Sequence, residues 1–259
     1  MDRRDNREEV LDRFGRQADR FERRGTSVAS KQSLLWAASF MELSPRSVAL
    51  DVAGGTGLLA RAVAPQVKTV FVLDLTPAML AQGRSAADGE GIRNVQFLRG
   101  EAEHLPFPEA SFDIAMTRFS LHHISRPQEV VAEMARVTRP AGQVVVIDLV
   151  APDAPELARS YNRLEKLRDP SHTRARSRAE LERLIADDGL KLLRAGSLDV
   201  EVELENWLEL AVTPAGAADE IRQALRQELQ GGPPTGMRPV MREALMYTQT
   251  AVVLVASPT

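Results

Sequence analysis

The sequence contains no cysteine among its 259 residues, and it contains only four histidines. The lack of cysteine excludes a disulfide framework, a Cys-ligated zinc site, an iron–sulfur cluster and a thiolate nucleophile. With so few histidines, most metal sites would need carboxylate ligands, and we predict no metal site. Because 33 basic residues are balanced by 36 acidic ones, the chain lacks the positive charge of a nucleic-acid-binding protein.

Long hydrophobic runs are also absent. No apolar stretch approaches the roughly 18–20 residues that span a bilayer, and the charged start MDRRDNREEVLDRF lacks the apolar region of a signal peptide. We therefore expect a cytoplasmic protein without a membrane partner. Apolar residues make up 44% and charged residues 27%, which is typical of a globular protein, and the length fits one large domain or a domain with a subdomain.

Short apolar runs recur in the middle of the chain and predict strands. They lie at 48–53, 69–74, 95–98, 112–117 and 144–150. Continuous runs of this kind suit strands that are buried on both faces, as in a parallel sheet. Helical stretches separate most of them, so the alternation predicts an α/β fold with right-handed crossovers.

The two ends of the chain differ from this alternating middle. Apolar residues at helical spacing over 8–24 predict an amphipathic helix, which either packs on the surface or covers a ligand site. After residue 150 we predict a helix that begins with a capping box at Ser177 and Glu180, a further helix at 216–230, and strands at 190–198 and 251–255. We accordingly divide the chain into an N-terminal helical lid (1–44), a core (45–199), a helical insert (200–248) and a final core strand (249–259).

The segment ALDVAGGTGLLA at 49–60 is the most informative part of the sequence. It runs from a strand through a glycine turn into a helix, and from Gly55 it fits the pattern G-x-G-x-x-A of nucleotide-binding loops. Glycines allow the backbone to approach a ligand closely, and the N–H groups at a helix start attract an anionic group. A purely structural turn between a strand and a helix is the alternative.

Acidic residues beside the turn narrow the class of ligand. Asp74 ends the next predicted strand, 23 residues after Asp51, where its carboxylate is placed to accept hydrogen bonds from two ribose hydroxyls. Asp51 stands before the glycines, where it can accept a hydrogen bond from an ammonium group or order a water molecule. A pyrophosphate would be repelled by this carboxylate, which argues against a nicotinamide dinucleotide.

Five segments between residues 49 and 149 carry a family signal. They are ALDVAGGTG (49–57), VFVLDLTPAML (70–80), GEAEHLPFPEASFDIA (100–115), RFSLHHI (118–124) and RVTRPAGQVVVIDL (136–149). In this order and spacing they resemble class I S-adenosylmethionine-dependent methyltransferases, especially the ubiquinone/menaquinone type that acts on small molecules. The resemblance implies a Rossmann-like, doubly wound, mostly parallel sheet of seven strands with an antiparallel last strand and a helical cap. It also implies S-adenosylmethionine as the cofactor and a small-molecule methyl acceptor.

The resemblance implies a role for each matching residue. Asp51 and the turn of Gly55, Thr56 and Gly57 would hold the amino-acid end of the cofactor, and Asp74 would bind its ribose hydroxyls. Arg118 would lie beside the methionine portion.

The adenine would be held by the following two motifs. Leu75 and Met79 would line it, Glu101 would contact its edge by the side chain, and Ala102 by the backbone. The sequence departs from the family pattern at Ala53, where glycine is usual, at Gly54, where cysteine or another small residue is common, and at Glu101, where aspartate is more usual.

Three histidines are candidates for handling a proton of the acceptor. His122 and His123 follow the fourth predicted strand, at the edge of the sheet that faces the ligand, and an imidazole suits a general base near neutral pH. Of the two we favour His123, and the alternative is that the Leu-His-His-Ile turn only shapes the loop. His172 lies in an Asp-Pro-Ser-His segment like those of related methyltransferases, where it either reaches the acceptor or belongs to a loop held by Asp169 and Ser171.

Several functions remain open at this point. The leading prediction is transfer of a methyl group from S-adenosylmethionine to O, N or C of a small organic acceptor by in-line displacement. The alternatives are a non-catalytic or repurposed binder of the same cofactor (a regulator or a cyclase), an RNA or protein methyltransferase, and an NAD-dependent oxidoreductase. Five aromatic residues either wall an apolar acceptor pocket or belong to the core: Trp36, Phe40, Phe119, Trp207 and Tyr247. A homodimer is also left open.

Overall fold

The computed structural model describes residues 3–21 and 30–258, with side chains of the first helix from residue 6 onward. The helices are α1 (Arg3–Gln17), α2 (Lys31–Ala38), α3 (Leu58–Val63), α4 (Pro77–Gly89), α5 (Pro127–Val137), α6 (Pro155–Arg168), α7 (Arg178–Asp187), α8 (Leu204–Leu210) and α9 (Ala215–Leu229). The strands are β1 (Val48–Val52), β2 (Thr69–Asp74), β3 (Val95–Arg99), β4 (Phe112–Arg118), β5 (Thr138–Leu149), β6 (Leu190–Glu203), β7 (Val240–Met241) and β8 (Leu245–Pro258). None of the helices in these described ranges is long and apolar enough to cross a membrane.

The strands form one sheet in the order β3-β2-β1-β4-β5-β8-β6. The first five strands pair in parallel. β8 pairs antiparallel with both β5 and β6, and the two-residue strand β7 pairs with the start of β8. The predicted fold class, a mostly parallel sheet of seven long strands with an antiparallel last strand, is therefore confirmed.

Helices cover both faces of this sheet, as in a doubly wound fold. On one face, apolar side chains of α5 and α7 pack on Leu50, Val52 and Val146. On the other face, α2, α3 and α4 pack on Ala49 and Val72. Successive residues of β1 therefore point into two different cores, which explains why this strand reads as a continuous apolar run.

The strand order reverses between β1 and β4, because the chain extends the sheet to one side up to β3 and then returns to the other side of β1. In open α/β sheets, ligands bind outside the carboxyl ends of the strands at such a switch point. The glycine turn that follows β1 lies at this position, so the topology directs attention to the same segment as the sequence does.

A third core lies in the cap formed after β5. It joins apolar side chains of α6, α8, α9 and β8, among them Leu164, Trp207, Ile221 and Tyr247. The capping box that begins α7 is present, since the Ser177 hydroxyl accepts from the Glu180 N–H and the Glu180 carboxylate accepts from the Ser177 N–H.

The last two long strands extend beyond the predicted ranges of 190–198 and 251–255. Residues 199–203 of β6 alternate acidic and apolar side chains, and Asp199 and Glu201 pair with arginines at the surface. A half-exposed strand of this kind lacks the continuous apolar run on which the prediction depended. The predicted boundaries at 200 and 248 consequently fall inside β6 and β8, and residues 204–244 connect these strands.

The N-terminal helix is shorter than the predicted 8–24 at its carboxyl end. α1 ends at Gln17 and residues 18–21 form a turn, whereas residues 22–24 lie outside the described residues. The apolar positions Val10 and Phe14 line the cavity described below.

Candidate active site

One cavity at the carboxyl edge of the sheet collects most of the predicted site. Nine of the ten predicted cofactor residues line it, and Gly57 does not. His122 and His123 line it too, whereas His172 does not. Of the five aromatic residues predicted as pocket or core, Trp36, Phe119 and Trp207 line the cavity. Phe40 instead packs against Trp36 and Gly196, and Tyr247 is fully buried in the cap core.

The glycine turn is held in a left-handed backbone conformation. The φ angles of Gly55 and Gly57 are +58° and +73°, and Gly57 caps the start of α3. Ala53 has a φ of +51°, so it occupies a conformation that glycine adopts more readily. The turn is therefore preformed, and the glycine usual in the family at position 53 suits the observed backbone.

Close packing fixes this turn from two sides. A Cβ atom at Gly54 would lie 2.7 Å from Cγ of Asp51, and one at Gly83 of α4 would lie 2.5 Å from the Thr56 carbonyl oxygen. Both distances are shorter than van der Waals contact, so these two positions require glycine. The backbone of the turn is thus closely packed between the Asp51 side chain and α4.

Asp51 is a buried carboxylate with one unsatisfied oxygen. Its side chain is 1% exposed; Oδ2 accepts from the Ala60 N–H at 3.2 Å, and Oδ1 has no hydrogen-bond partner among the described residues. Burial raises its pKa from 3.8 to about 7, although the Ala60 N–H and the charge of Arg118 act in the opposite direction. Since a buried carboxylate without a partner is costly, this position favours a cationic or hydrogen-bond-donating ligand.

Asp74 at the end of β2 is held rigidly by the backbone. Oδ2 accepts from the Gly55 N–H at 2.8 Å and Oδ1 accepts from the Thr76 N–H at 2.8 Å. Burial raises its pKa above 3.8 despite these hydrogen bonds. Each carboxylate oxygen accepts more than one hydrogen bond, so both oxygens keep capacity for a ligand hydroxyl.

Residues that follow β3 meet α1 in the next part of the cavity lining. The Glu101 carboxylate forms an ion pair with Arg7 of α1, and Ala102 beside it is buried. Met79 in the first turn of α4 is buried, and Leu75 is half-buried. The side chain predicted to contact the adenine edge is thus already bonded to the helix predicted to form a lid.

Arg118 is the last residue of β4 and also lines the cavity. Its guanidinium group stacks on the Phe119 ring at 4.2 Å from the centroid and donates to the Ser33 hydroxyl at 3.3 Å. Burial lowers its pKa from 12.5 to about 10, while the charge of Asp51 raises it. Arg118 therefore remains a cation at neutral pH and faces the carboxylate of Asp51. Phe119 has a φ of +53°, an unusual conformation for a bulky residue.

His123 is oriented by a chain of hydrogen bonds through the Asp169–Ser171 segment. The Ser171 hydroxyl donates to Asp169 Oδ1 at 2.6 Å, and Ser171 Oγ lies 2.9 Å from His123 Nδ1. Because the single hydroxyl proton goes to the carboxylate, Nδ1 of His123 must carry the proton that Ser171 Oγ accepts. The lone pair of His123 is therefore on Nε2.

Burial sets the protonation state of His123. It lowers the pKa of the imidazole from 6.5 to about 3, helped by the neighbouring His122 and opposed by Asp169. Burial acts to raise the pKa of the Asp169 carboxyl, but the charge of Arg168 and the hydrogen bonds from Ser171 outweigh it and hold that pKa well below its usual range. At neutral pH, His123 is a neutral imidazole beside an ionised aspartate.

His122 and His172 take different positions in the same cluster. Nδ1 of His122 bonds to Asp148 Oδ1, and the His122 N–H donates to Oδ2 of the same carboxylate. His172 is fully buried, with Nε2 at 2.8 Å from the Asn162 side-chain oxygen. Its ring centroid lies 5.5 Å from that of His122 and 6.2 Å from that of His123. In this position His172 supports the loop under the other two histidines. A direct catalytic role for His172 stays a prediction.

Sequence reasoning missed several residues that build this site. Gln17 of α1 donates to Asp169 Oδ2 at 3.3 Å. Phe14 belongs to the apolar face of the predicted helix, but its edge-on contact with His123, with 4.9 Å between centroids, was not foreseen. Asp148, which anchors His122, was also not singled out. The Asp-Pro-Ser-His segment did point to the loop, but as the source of a histidine rather than of the serine and aspartate that orient His123.

Comparison with known proteins decides the family. A profile described as "Methyltransferase domain" matches residues 50–146. The uncharacterized methyltransferase YcgJ of Bacillus subtilis is 35% identical over 172 residues, which are 66% of this chain and 68% of that protein. The chain belongs to the class I S-adenosylmethionine-dependent methyltransferases.

Two further comparisons agree with the methyltransferase family. The ubiquinone/menaquinone biosynthesis C-methyltransferase UbiE of Ectopseudomonas mendocina is 33% identical over 162 residues, covering 60% of this chain and 63% of that protein. The solved structure of the YcgJ protein superposes with a TM-score of 0.79 at 27% identity, covering 89% of this chain and all of that one. S-adenosylmethionine is the cofactor of this methyltransferase.

The cavity of the methyltransferase fits this cofactor chemically. S-adenosylmethionine carries an ammonium group, a sulfonium and two ribose hydroxyls, all of which suit carboxylates. Asp51 supplies the unsatisfied Oδ1, and Asp74 supplies a fixed pair of acceptors. Among the residues that the structure describes, no group of three His, Asp or Glu side chains is arranged to hold a metal ion.

The raised pKa of Asp51 predicts that cofactor binding depends on pH. A cationic ligand favours the carboxylate form, so affinity falls as pH decreases below about 7, by up to about tenfold per pH unit. Above about 7.7–8.0 the cofactor's own α-amino group loses its proton, which limits affinity on the alkaline side. Calorimetry between pH 5 and 9 measures both limbs. Asp51→Asn should bind more weakly at pH 7.5 and lose the acidic limb; a limb that persists in this variant would contradict the assignment.

Proposed function

We propose that the methyltransferase transfers a methyl group from S-adenosylmethionine to an O, N or C atom of a small organic acceptor. The observation that carries this proposal is that Asp51, Asp74 and the neutral imidazole of His123 line the same cavity. An acceptor in this cavity is near both the cofactor and a group that receives a proton. When bound, S-adenosylmethionine supplies an electrophilic methyl group on a sulfonium.

The predicted cofactor residues contact different parts of the ligand. In this proposal, Asp51 receives the ammonium group, Asp74 receives the ribose hydroxyls, and the backbone of Gly55 and Thr56 borders the methionine end beside Arg118. The adenine is lined by Leu75 and Met79 and contacted by Glu101 and Ala102. Gly57 does not touch the ligand in this arrangement, and its role is to shape the turn and begin α3.

His123 acts on the acceptor as a proton acceptor of low basicity. With a pKa of about 3, a neutral His123 is too weak a base to remove a proton from a free phenol or ammonium group before the reaction. A neutral amine that gains a methyl group becomes a weakly acidic ammonium ion and keeps its proton. A neutral O atom, or a C atom of an enol or an electron-rich ring, becomes a cation with a strongly acidic proton when it gains a methyl group. Nε2 of His123 receives that proton during or after transfer, and Asp169 stabilises the resulting imidazolium through Ser171.

The walls of the cavity assist by excluding water. Phe14, Trp36, Phe119 and Trp207 surround the acceptor side with apolar surface, and a dry site favours dispersal of the sulfonium charge while it excludes competing hydrolysis. Alignment of acceptor and methyl group is the main contribution of such a site, worth roughly 7–11 kcal/mol at the well-oriented limit. We infer that α1 serves as a lid and that residues 204–244 shape the acceptor side.

For the location and assembly of the enzyme, we propose what the sequence predicts. The proposed reaction takes place in the cytoplasm on a small molecule, without nucleic acid, and a homodimer stays open. The small acceptor agrees with the formal net charge of -3, which does not favour a polyanionic substrate.

A screen of acceptors with methyl-labelled S-adenosylmethionine tests the proposal. The panel contains apolar phenols, amines and enolisable ketones, and we expect label to move to at least one of these classes. The matched control is the Asp74→Ala variant, which should transfer none at the same cofactor concentration. Tight cofactor binding without transfer to any acceptor would overturn the proposal in favour of a non-catalytic binder.

A further inference from the structure

Arg168, the last residue of α6, is a buried cation in the cavity wall with no role assigned so far toward the cofactor or the acceptor. It is 7% exposed and lines the cavity. Its Nε donates to Glu165 Oε2 at 3.2 Å, and its guanidinium carbon lies 4.7 Å from the Trp207 ring centroid. Within the described part of the chain, Nη1 and Nη2 donate no side-chain hydrogen bond, so these planar donors are available to a molecule in the cavity.

The positive charge of Arg168 is already compensated by carboxylates. Glu165 is fully buried, and Gln249 donates to its Oε1 at 3.5 Å. The carboxylate of Asp169 acts on Arg168 as well. The nearby phenols of Tyr161 and Tyr247 are neutral, because burial raises their pKa well above 10. One cation therefore faces two carboxylates, and an anionic ligand would add a third negative charge.

The cavity that Arg168 lines has several apolar side chains beside the amides of Gln17 and Gln249. Leu198, Val200, Trp207 and Leu210 line the same cavity as its guanidinium group. An arginine donates hydrogen bonds and accepts none, so the group it binds must be an acceptor. The surroundings combine strong donors, no surplus positive charge and an apolar wall, which suits a carbonyl or hydroxyl oxygen on an apolar molecule.

We propose that Arg168, neutralised by Glu165, forms a subsite for an uncharged oxygen of the methyl acceptor and discriminates against carboxylated acceptors. The inference rests on the proposed function, since it assigns the acceptor to this cavity. It names the class of substrate as an apolar ketone or alcohol whose oxygen lies apart from the atom near His123. A hydrogen bond to a charged donor in a buried site gives discrimination of this kind.

Three naphthalene probes of similar shape test the subsite in the presence of S-adenosylhomocysteine. They are 2-acetylnaphthalene with an uncharged oxygen, 2-ethylnaphthalene without oxygen, and 2-naphthoate with a carboxylate. Dissociation constants are measured by quenching of tryptophan fluorescence. We expect the wild-type protein to bind the ketone about tenfold more tightly than the ethyl compound, and the carboxylate more weakly than the ketone.

Two variants separate the hydrogen bond from the charge balance. Glu165→Gln keeps the shape but removes the carboxylate bonded to Arg168 and leaves only Asp169 near it, so affinity for 2-naphthoate should rise at least tenfold and exceed that for the ketone. Arg168→Met should abolish the preference of the ketone over the ethyl compound. Since removal of Arg168 alone leaves Glu165 unpaired, the double variant Glu165→Gln/Arg168→Met provides the same test with an uncharged pair.

Three results would overturn the subsite: tightest binding of 2-naphthoate by the wild type, a ketone preference that survives in both Met variants, or no binding of any probe at 1 mM. Affinity for S-adenosylmethionine is measured in every variant and should stay within twofold of the wild type. A wild-type protein that fails to bind S-adenosylmethionine contradicts the proposed function. Normal cofactor binding with the wrong probe preference contradicts only the subsite.

Discussion

Replacing Asp74 with alanine is expected to lower the affinity for S-adenosylmethionine at least 100-fold. In the proposed complex both oxygens of this carboxylate accept ribose hydroxyls, and a hydrogen bond to a charged group contributes about 1.5–3 kcal/mol. Loss of two such bonds corresponds to a factor of roughly 10²–10⁴ in the dissociation constant. The same substitution removes the acceptors of the Gly55 and Thr76 N–H groups, so the glycine turn loses its anchor as well.

A matched control separates this effect from a general loss of charge. Asp88 lies on the neighbouring helix α4 and its side chain is 70% exposed, in an ion pair with Arg93. Asp88→Ala should leave the dissociation constant unchanged, since exposed pairs contribute little. Calorimetry at pH 7.5 with the wild type and both variants gives the comparison. An Asp74→Ala protein that is folded by thermal melting and binds the cofactor normally would falsify the ribose assignment.

The cofactor side of the site could be predicted from sequence because its parts are local. Asp51, the glycine turn and Asp74 each lie at the carboxyl end of a buried strand, and parallel strands bring those ends to one edge. Spacing along the chain therefore translated directly into a shared position in space. The fold class followed from the same alternation of strands and helices.

The acceptor side could not be predicted in this way, because it depends on which distant elements meet. Gln17 contacts Asp169 across 152 residues, and Asn6 donates to the Ser171 carbonyl at 3.5 Å across 165. Periodicity identifies the apolar face of α1 but not the loop that this face covers. For the same reason the Asp-Pro-Ser-His segment was recognised as a loop, whereas the orientation of Ser171 toward His123 depends on the tertiary fold.

Replacing His123 with alanine is expected to lower turnover by a factor of about 10²–10⁴, the usual contribution of a positioned proton acceptor. Cofactor affinity should hold, because the predicted ribose and ammonium contacts come from other residues. His122→Ala is the informative comparison, as this ring also lines the cavity but is anchored by Asp148. Single-turnover transfer to an acceptor found in the screen gives the rate for both variants. Unchanged turnover in His123→Ala would return the histidine to a purely structural role.

The low pKa of His123 also predicts how turnover depends on pH. An imidazole with a pKa of about 3 is neutral throughout pH 5–9, so the wild-type turnover number at saturating cofactor should show no rising limb near pH 6–7. A conventional histidine base would show such a limb.

Ser171→Ala should reduce turnover, because the His123 ring loses the Nδ1 partner that fixes its tautomer. The reduction should be smaller than in His123→Ala, because the ring itself is still present. Asp169→Asn should lower turnover as well, because the imidazolium that forms on proton uptake loses its counter-charge, and both effects should leave cofactor affinity within twofold. A wild-type limb near pH 6–7 that disappears in His123→Ala would instead mean that the cavity is wetter during turnover and that His123 deprotonates the acceptor before methyl transfer.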